Sequence, residues 1–270
     1  MEVKSKDMSF KTMMVFATEM INLLRVKFPS SSIDDWQGYI VQRLSLMLKS
    51  YQTLSQVLLD ANDYITANTI LRMMADNLAI TKFIYIDHKG DLMLLRHYMF
   101  LLDGSLTYFK ITDSMEDSGN LIKEARERSQ QEVQYIIGQI KKLSLYKENC
   151  EGIDKLINID KRLCNWKFRD FSDKTGLRFH ELYKTLDLAP NIVAYLEYIS
   201  QFAHGLGLYS LGTVASLKNA PLLFEMRDML CGLLISNVFR LFPEIHSDND
   251  LLLDEIRTKL TPSEMDHFLK

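Results

Sequence analysis

The chain is poor in residues that break helices. It has 11 glycines and 5 prolines in 270 residues, which leaves few turn devices for a many-stranded fold and suits long helices. Its three cysteines, Cys150, Cys164 and Cys231, are odd in number and have no CxxC spacing. They argue against a disulfide framework or a zinc site and for a reducing compartment. No apolar run reaches the roughly 18 residues of a membrane span; the closest, Met229 to Phe242, is shorter and is broken by Arg240. The opening MEVKSKDMSFKTMM lacks the apolar stretch of a signal peptide. A cytoplasmic chain that does not enter a membrane is the expectation.

Ligand motifs are missing as well. There is no GxxxxGK[ST] or GxGxxG loop, no HExxH motif and no His/Cys spacing suited to zinc, so neither a cofactor nor a metal is expected. The formal net charge of −3 does not suggest a non-specific nucleic-acid binder. Residues 121–184 are mildly basic, with fourteen bases against ten acids, as a solvated helical face or an RNA surface would be.

What the chain does have is 47% hydrophobic and 25% charged residues, an ordinary globular balance, with apolar residues at helical spacing. Met13, Phe16, Met20, Leu23 and Leu24 share one face of a first helix, which Pro29 ends. A second helix is expected from near Ile33, with Asp34 and Asp35 at its positive end. Asn62 or Asp63 can cap a third, running to about residue 87, that is apolar nearly all round and therefore expected to be central. A fourth covers about 91–111, and a long charged one about 121–146. Gly152 is read as its interruption. Pro190 and Pro221 stand where further helices begin, and Thr261-Pro262-Ser263-Glu264 reads as a capping box. The reading is an all-α single domain: an N-terminal helical pair (1–60), a core (61–210) and C-terminal helices (211–270).

Two polar sets stand out. On the apolar third helix, Arg72 and Asp76 lie one turn apart, with Asn68 one turn earlier. A buried Arg is costly unless paired, so the pair either fixes helix register or holds an anionic group. On the 190–204 segment, Glu197, Ser200 and His204 share one face, with Tyr195, Tyr198, Ile199 and Phe202 on the other half. Successive turns of one helix do not supply triad geometry. The polar face therefore either meets solvent or meets the Asn68–Arg72–Asp76 stripe across a helix–helix contact.

LRMMAD (71–76), WKFRDFSDKTGL (166–177) with Tyr183, and YLEYISQFAHG (195–205) together resemble a family of bacterial all-helical proteins of undefined activity. The resemblance covers roughly residues 60–210; the family's usual Glu is here the shorter Asp76. The pattern carries Arg72, Asp76, Trp166, Ser200 and His204, and Asn68, Glu197 and Tyr198 are further candidate binding residues on the same two helices. More remotely the chain looks like the HEPN helical bundles, many of them RNA-cleaving toxins or defence proteins. Their Arg-x4–6-His signature sits within one helix and often acts across a dimer. Arg240 to His246 has that spacing but contains Pro243, and Glu197 to Gln201 fill the matching positions before His204. The HEPN resemblance thus implies Arg72 as the cation from another helix, His204 as general acid/base, Asp76 orienting Arg72, RNA as substrate and a homodimer. The rival reading, from another class, is a non-catalytic binding or dimerisation module in which these residues set packing.

Overall fold

In a computed structural model, residues 2–30, 32–61, 63–115, 119–203 and 220–268 are described. The protein is all-α. The β structure among the described residues is one antiparallel pair of two-residue strands, β1 (Ile157–Asn158) and β2 (Leu163–Cys164). The helices are α1 (Glu2–Lys27), α2 (Trp36–Gln56), α3 (Tyr64–Thr81), α4 (Gly90–Ser114), α5 (Asn120–Lys142), α6 (Ser144–Leu156), α7 (Phe179–Lys184), α8 (Pro190–Ala203), α9 (Ala220–Leu241), α10 (Asn249–Lys259) and α11 (Pro262–Phe268). π-helical turns follow α2 at Val57–Ala61 and α3 at Lys82–Ile86, and a 3-10 turn follows α9 at Pro243–Asp248. No described helix is long and apolar enough to cross a membrane.

Residues group into two compact units, 1–82 with 183–270 and, inserted between them, 83–182. In the first unit α3 packs against α2, α8 and α9, and α1 packs against α2, α9, α10 and α11. Leu71, Met74, Ala75 and Leu78 of α3 are fully buried, and a buried Leu contributes about 1.5–3 kcal/mol. The helix is central to its unit, though Ile65 and Met73 leave one open edge. In the second unit α5 packs on α4. Ser129 donates to the Ser105 carbonyl (3.0 Å) and Arg126 to that of Thr112 (2.9 Å), so the two run antiparallel. Only Ser129, Val133, Ile136 and Ile140 of α5 are buried, the narrow stripe of an outer helix.

Helix ends follow local chemistry. Asp63 caps α3 by accepting from the Thr66 amide at 3.0 Å. Thr261 and Glu264 close their box: the Glu264 carboxylate accepts from the Thr261 amide (2.9 Å), and the Glu264 amide donates to the Thr261 hydroxyl (3.4 Å). The second helix starts at Trp36 rather than near Ile33, because Asp35 serves as its cap, accepting from the Gly38 amide at 3.2 Å.

Gly152 does not interrupt the charged helix. The break falls at Leu143, whose backbone is extended, and Gly152 lies inside α6. It is glycine for a packing reason: a Cβ there would sit 2.7 Å from Cβ of Phe171.

Candidate functional site

The polar residues of α3 meet partners from Tyr183 and α8, all in the first unit. Arg72 and Asp76 project from the same side of α3 because they are four residues apart, and their side chains approach to 3.3 Å. The Arg72 side chain is 12% exposed and that of Asp76 26%, so the charges are largely desolvated but not sealed. Arg72 also donates to the carbonyl of Leu196 on α8 at 3.1 Å. That carbonyl lies inside a helix, and its second lone pair is available. The guanidinium sits 4.5 Å from the centroid of the Tyr183 ring, a cation–π arrangement. The Tyr183 hydroxyl donates to the same Asp76 oxygen that faces Arg72.

Arg72, Asp76 and Tyr183 therefore form a closed triangle. Burial raises the Tyr183 phenol well above its ordinary pKa, and the Asp76 carboxylate beside it adds to the shift. The proton stays on the phenol, which keeps it a donor to Asp76 rather than a base.

One turn earlier a neutral pair repeats the contact. Tyr195 of α8 donates to the Asn68 side-chain carbonyl at 3.1 Å, and the Asn68 amide donates back to the Tyr64 carbonyl at 2.7 Å. Burial, then Tyr198, pushes Tyr195 up to about 12. The Tyr195 and Tyr198 rings lie 6.2 Å apart.

The expected pairing of the two polar stripes changes in detail. The described partners that α8 supplies to the α3 stripe are Tyr195 and the Leu196 backbone, which lie off the Glu197–Ser200 face. Glu197 is exposed, and the Ser200 hydroxyl turns back onto the Glu197 carbonyl at 2.6 Å. His204 lies outside the described residues. Trp166 belongs to the 83–182 unit, where its ring packs against Phe83 and Phe100 (centroids 6.3 and 5.1 Å). The Arg240-to-His246 spacing straddles the end of α9, and His246 stacks on Phe239 at 4.7 Å.

Comparison with known proteins finds no matching family model, curated protein or solved structure.

Two further buried arginines were not singled out from the sequence. Arg227 of α9 is fully buried, its guanidinium 3.5 Å from the Phe10 centroid and bonded to Asp228 (2.7 Å) and to Ser55 of α2 (3.2 Å). Arg96 of α4 is held between the rings of Phe83 and Phe168 (4.3 and 4.0 Å). It donates to the carbonyls of Trp166 (3.1 Å) and Phe168 (2.9 Å), and its Nε has no partner. Each is a lone cation in an apolar helical run, the same signal that drew attention to Arg72. Among the described residues no cluster of His, Cys, Asp and Glu could hold a metal.

Proposed function

We propose that this chain is a non-catalytic helical binding module, in which Arg72, Asp76 and Tyr183 fix the packing of α3 with α8 and the Tyr183 segment. The observation that carries this reading is that, among the described residues, the three side chains contact one another and the α8 backbone. The guanidinium has a carboxylate, a carbonyl and a ring face; the carboxylate has the guanidinium and a phenol; the phenol's proton is spent on the carboxylate. An arginine poised to stabilise a phosphorane-like state needs donors aimed at the reacting phosphate. Among the described residues, those of Arg72 reach the Asp76 carboxylate and the Leu196 carbonyl. Buried, satisfied networks of this kind rigidify and specify a core.

The competing reading is a HEPN-like RNA-acting protein, with His204 as general acid/base and Arg72 as the stabilising cation. The deciding experiment compares RNA cleavage and growth toxicity of the wild type with His204→Ala and Arg72→Met. The module reading expects no cleavage by any of the three, with Arg72→Met lowering thermal stability. Cleavage by the wild type that both substitutions abolish, with folding intact, would overturn it.

A further inference from the structure

The 83–182 unit contains a cleft of about 380 Å³, toward the small end of ligand-sized pockets. Asp103 of α4 forms one part of it. Lys155 and Leu156 at the end of α6 form another, with the segment from Leu163 to Lys167 and the loop 173–175 completing the wall.

The loop wall is preformed. The Asp173 carboxylate accepts from the amides of Arg169 (2.9 Å), Thr175 (3.0 Å) and Gly176 (3.1 Å) and from the Arg169 guanidinium (3.0 Å). The Asn165 amide ties the Asp173 carbonyl at 3.0 Å. Gly176 has φ +70°, and a Cβ there would meet the Asn165 side-chain oxygen at 2.3 Å, so glycine suits both the backbone angle and the close approach. A loop held at this many points costs a ligand little ordering entropy.

The charges in this cleft are divided. Asp103 is half-buried, and the Trp166 indole N–H and the Cys164 amide beside it favour its charged form. It forms no ion pair among the described residues. A carboxylate has about four acceptor sites, so two donors leave capacity for more. Burial raises the Asp103 carboxyl above its ordinary range, while its donors and Lys167 pull it back. The Lys167 ammonium sits over the rings of Trp166 (5.5 Å) and Phe179 (4.7 Å). Lys155 and Lys174 are exposed on the cleft and make no hydrogen bond or ion pair among the described residues. The lining of the cleft thus includes a half-buried acceptor, Asp103, and two exposed ammonium groups, Lys155 and Lys174.

We propose that this cleft binds a small phosphorylated ligand that also carries an amine, with Lys155 and Lys174 holding the phosphate and Asp103 accepting from the amine. Lysines hold phosphate as compact point charges, and an N–H donated to a carboxylate is among the stronger hydrogen bonds. The site shares no residue with the Arg72 triangle and stands or falls separately from it.

The test titrates the whole chain calorimetrically with adenosine 5′-monophosphate and O-phosphoethanolamine, and with inorganic phosphate and adenosine as half-ligands. At least one whole probe is expected to bind with Kd of about 1 mM or tighter, and each half-ligand about tenfold more weakly. The double substitution Lys155→Gln/Lys174→Gln is expected to weaken the whole probe about tenfold. Asp103→Asn is expected to weaken it similarly while leaving inorganic phosphate unchanged. Thermal melts report folding, and Asp103→Ser replaces any Asp103→Asn protein that fails to fold. The proposal is overturned if neither whole probe binds, if inorganic phosphate binds as tightly as the whole probe, or if folded variants keep wild-type affinity.

Discussion

Replacing Tyr183 with Phe removes one oxygen and leaves the ring under the Arg72 guanidinium. A hydrogen bond to a charged acceptor contributes about 1.5–3 kcal/mol. Asp76 is 26% exposed and keeps Arg72 at 3.3 Å, so water and the guanidinium replace part of what is lost. The expected loss is therefore at the lower end, about 1–2 kcal/mol, or roughly 2–8 °C in Tm for a unit of this size. The pH dependence adds a second signature. The folded-state pKa of Tyr183 is raised above the ordinary 10.0. Below pH 10 the phenol is protonated in both folded and unfolded chains, and its stabilising contribution is fully present. Above pH 10 the unfolded chain releases this proton and the folded one retains it. The contribution then falls by up to about 1.4 kcal/mol per pH unit. Tyr183→Phe has no such proton, so the stability gap between the two proteins is constant near neutrality and narrows above pH 10. Urea unfolding followed by circular dichroism, at neutral pH and about one unit above pH 10, measures both. Equal stability at neutral pH, or a gap that stays constant into the alkaline range, would refute the closed triangle.

Two further outcomes follow from other parts of the fold. At Gly38 an added Cβ would lie 2.0 Å from the Ser30 carbonyl oxygen. The obstacle is backbone, so Gly38→Ala is expected to lower stability by about 1–3 kcal/mol, read from the urea midpoint; a neutral result would contradict that packing. Glu264 accepts from Lys11 at 2.6 Å and from Thr261, which pulls its carboxyl down to about 2 from 4.5. Its contribution is present above pH 4.5 and is lost as pH falls toward 2. Hydrogen-exchange protection across α11, taken relative to the intrinsic exchange rate at each pH, is expected to fall in that window for the wild type, while Glu264→Gln shows a flatter pH response.

Much of the fold was legible because its signals are local. Asp63 caps α3, the Thr261–Glu264 box opens α11, and Pro190 stands at the first position of α8; each is decided by residues within one turn. The Arg72–Asp76 pair was legible for the same reason. Tyr183 appeared only as part of a resemblance, since its bond to Asp76 spans 107 residues and no spacing rule encodes it. The α8 contacts were less legible: amphipathicity singles out the Glu197–Ser200 face, whereas a main-chain carbonyl, which no helical wheel displays, meets Arg72. Gly152 misled because glycine serves both as a helix stop and as room for a close neighbour, here Phe171. Arg96 leaves no comparable trace of pairing in the sequence, because its partners are ring faces and carbonyls rather than an acid nearby in sequence.

The most direct test of the scaffold reading is the coupling energy between Arg72 and Tyr183. Unfolding free energies of the wild type, Arg72→Met, Tyr183→Phe and the double variant give it. Because both side chains converge on one oxygen of Asp76, the account predicts non-additivity of about 1 kcal/mol or more. Additive losses within about 0.3 kcal/mol would mean that the three groups do not act as one network, and would contradict it.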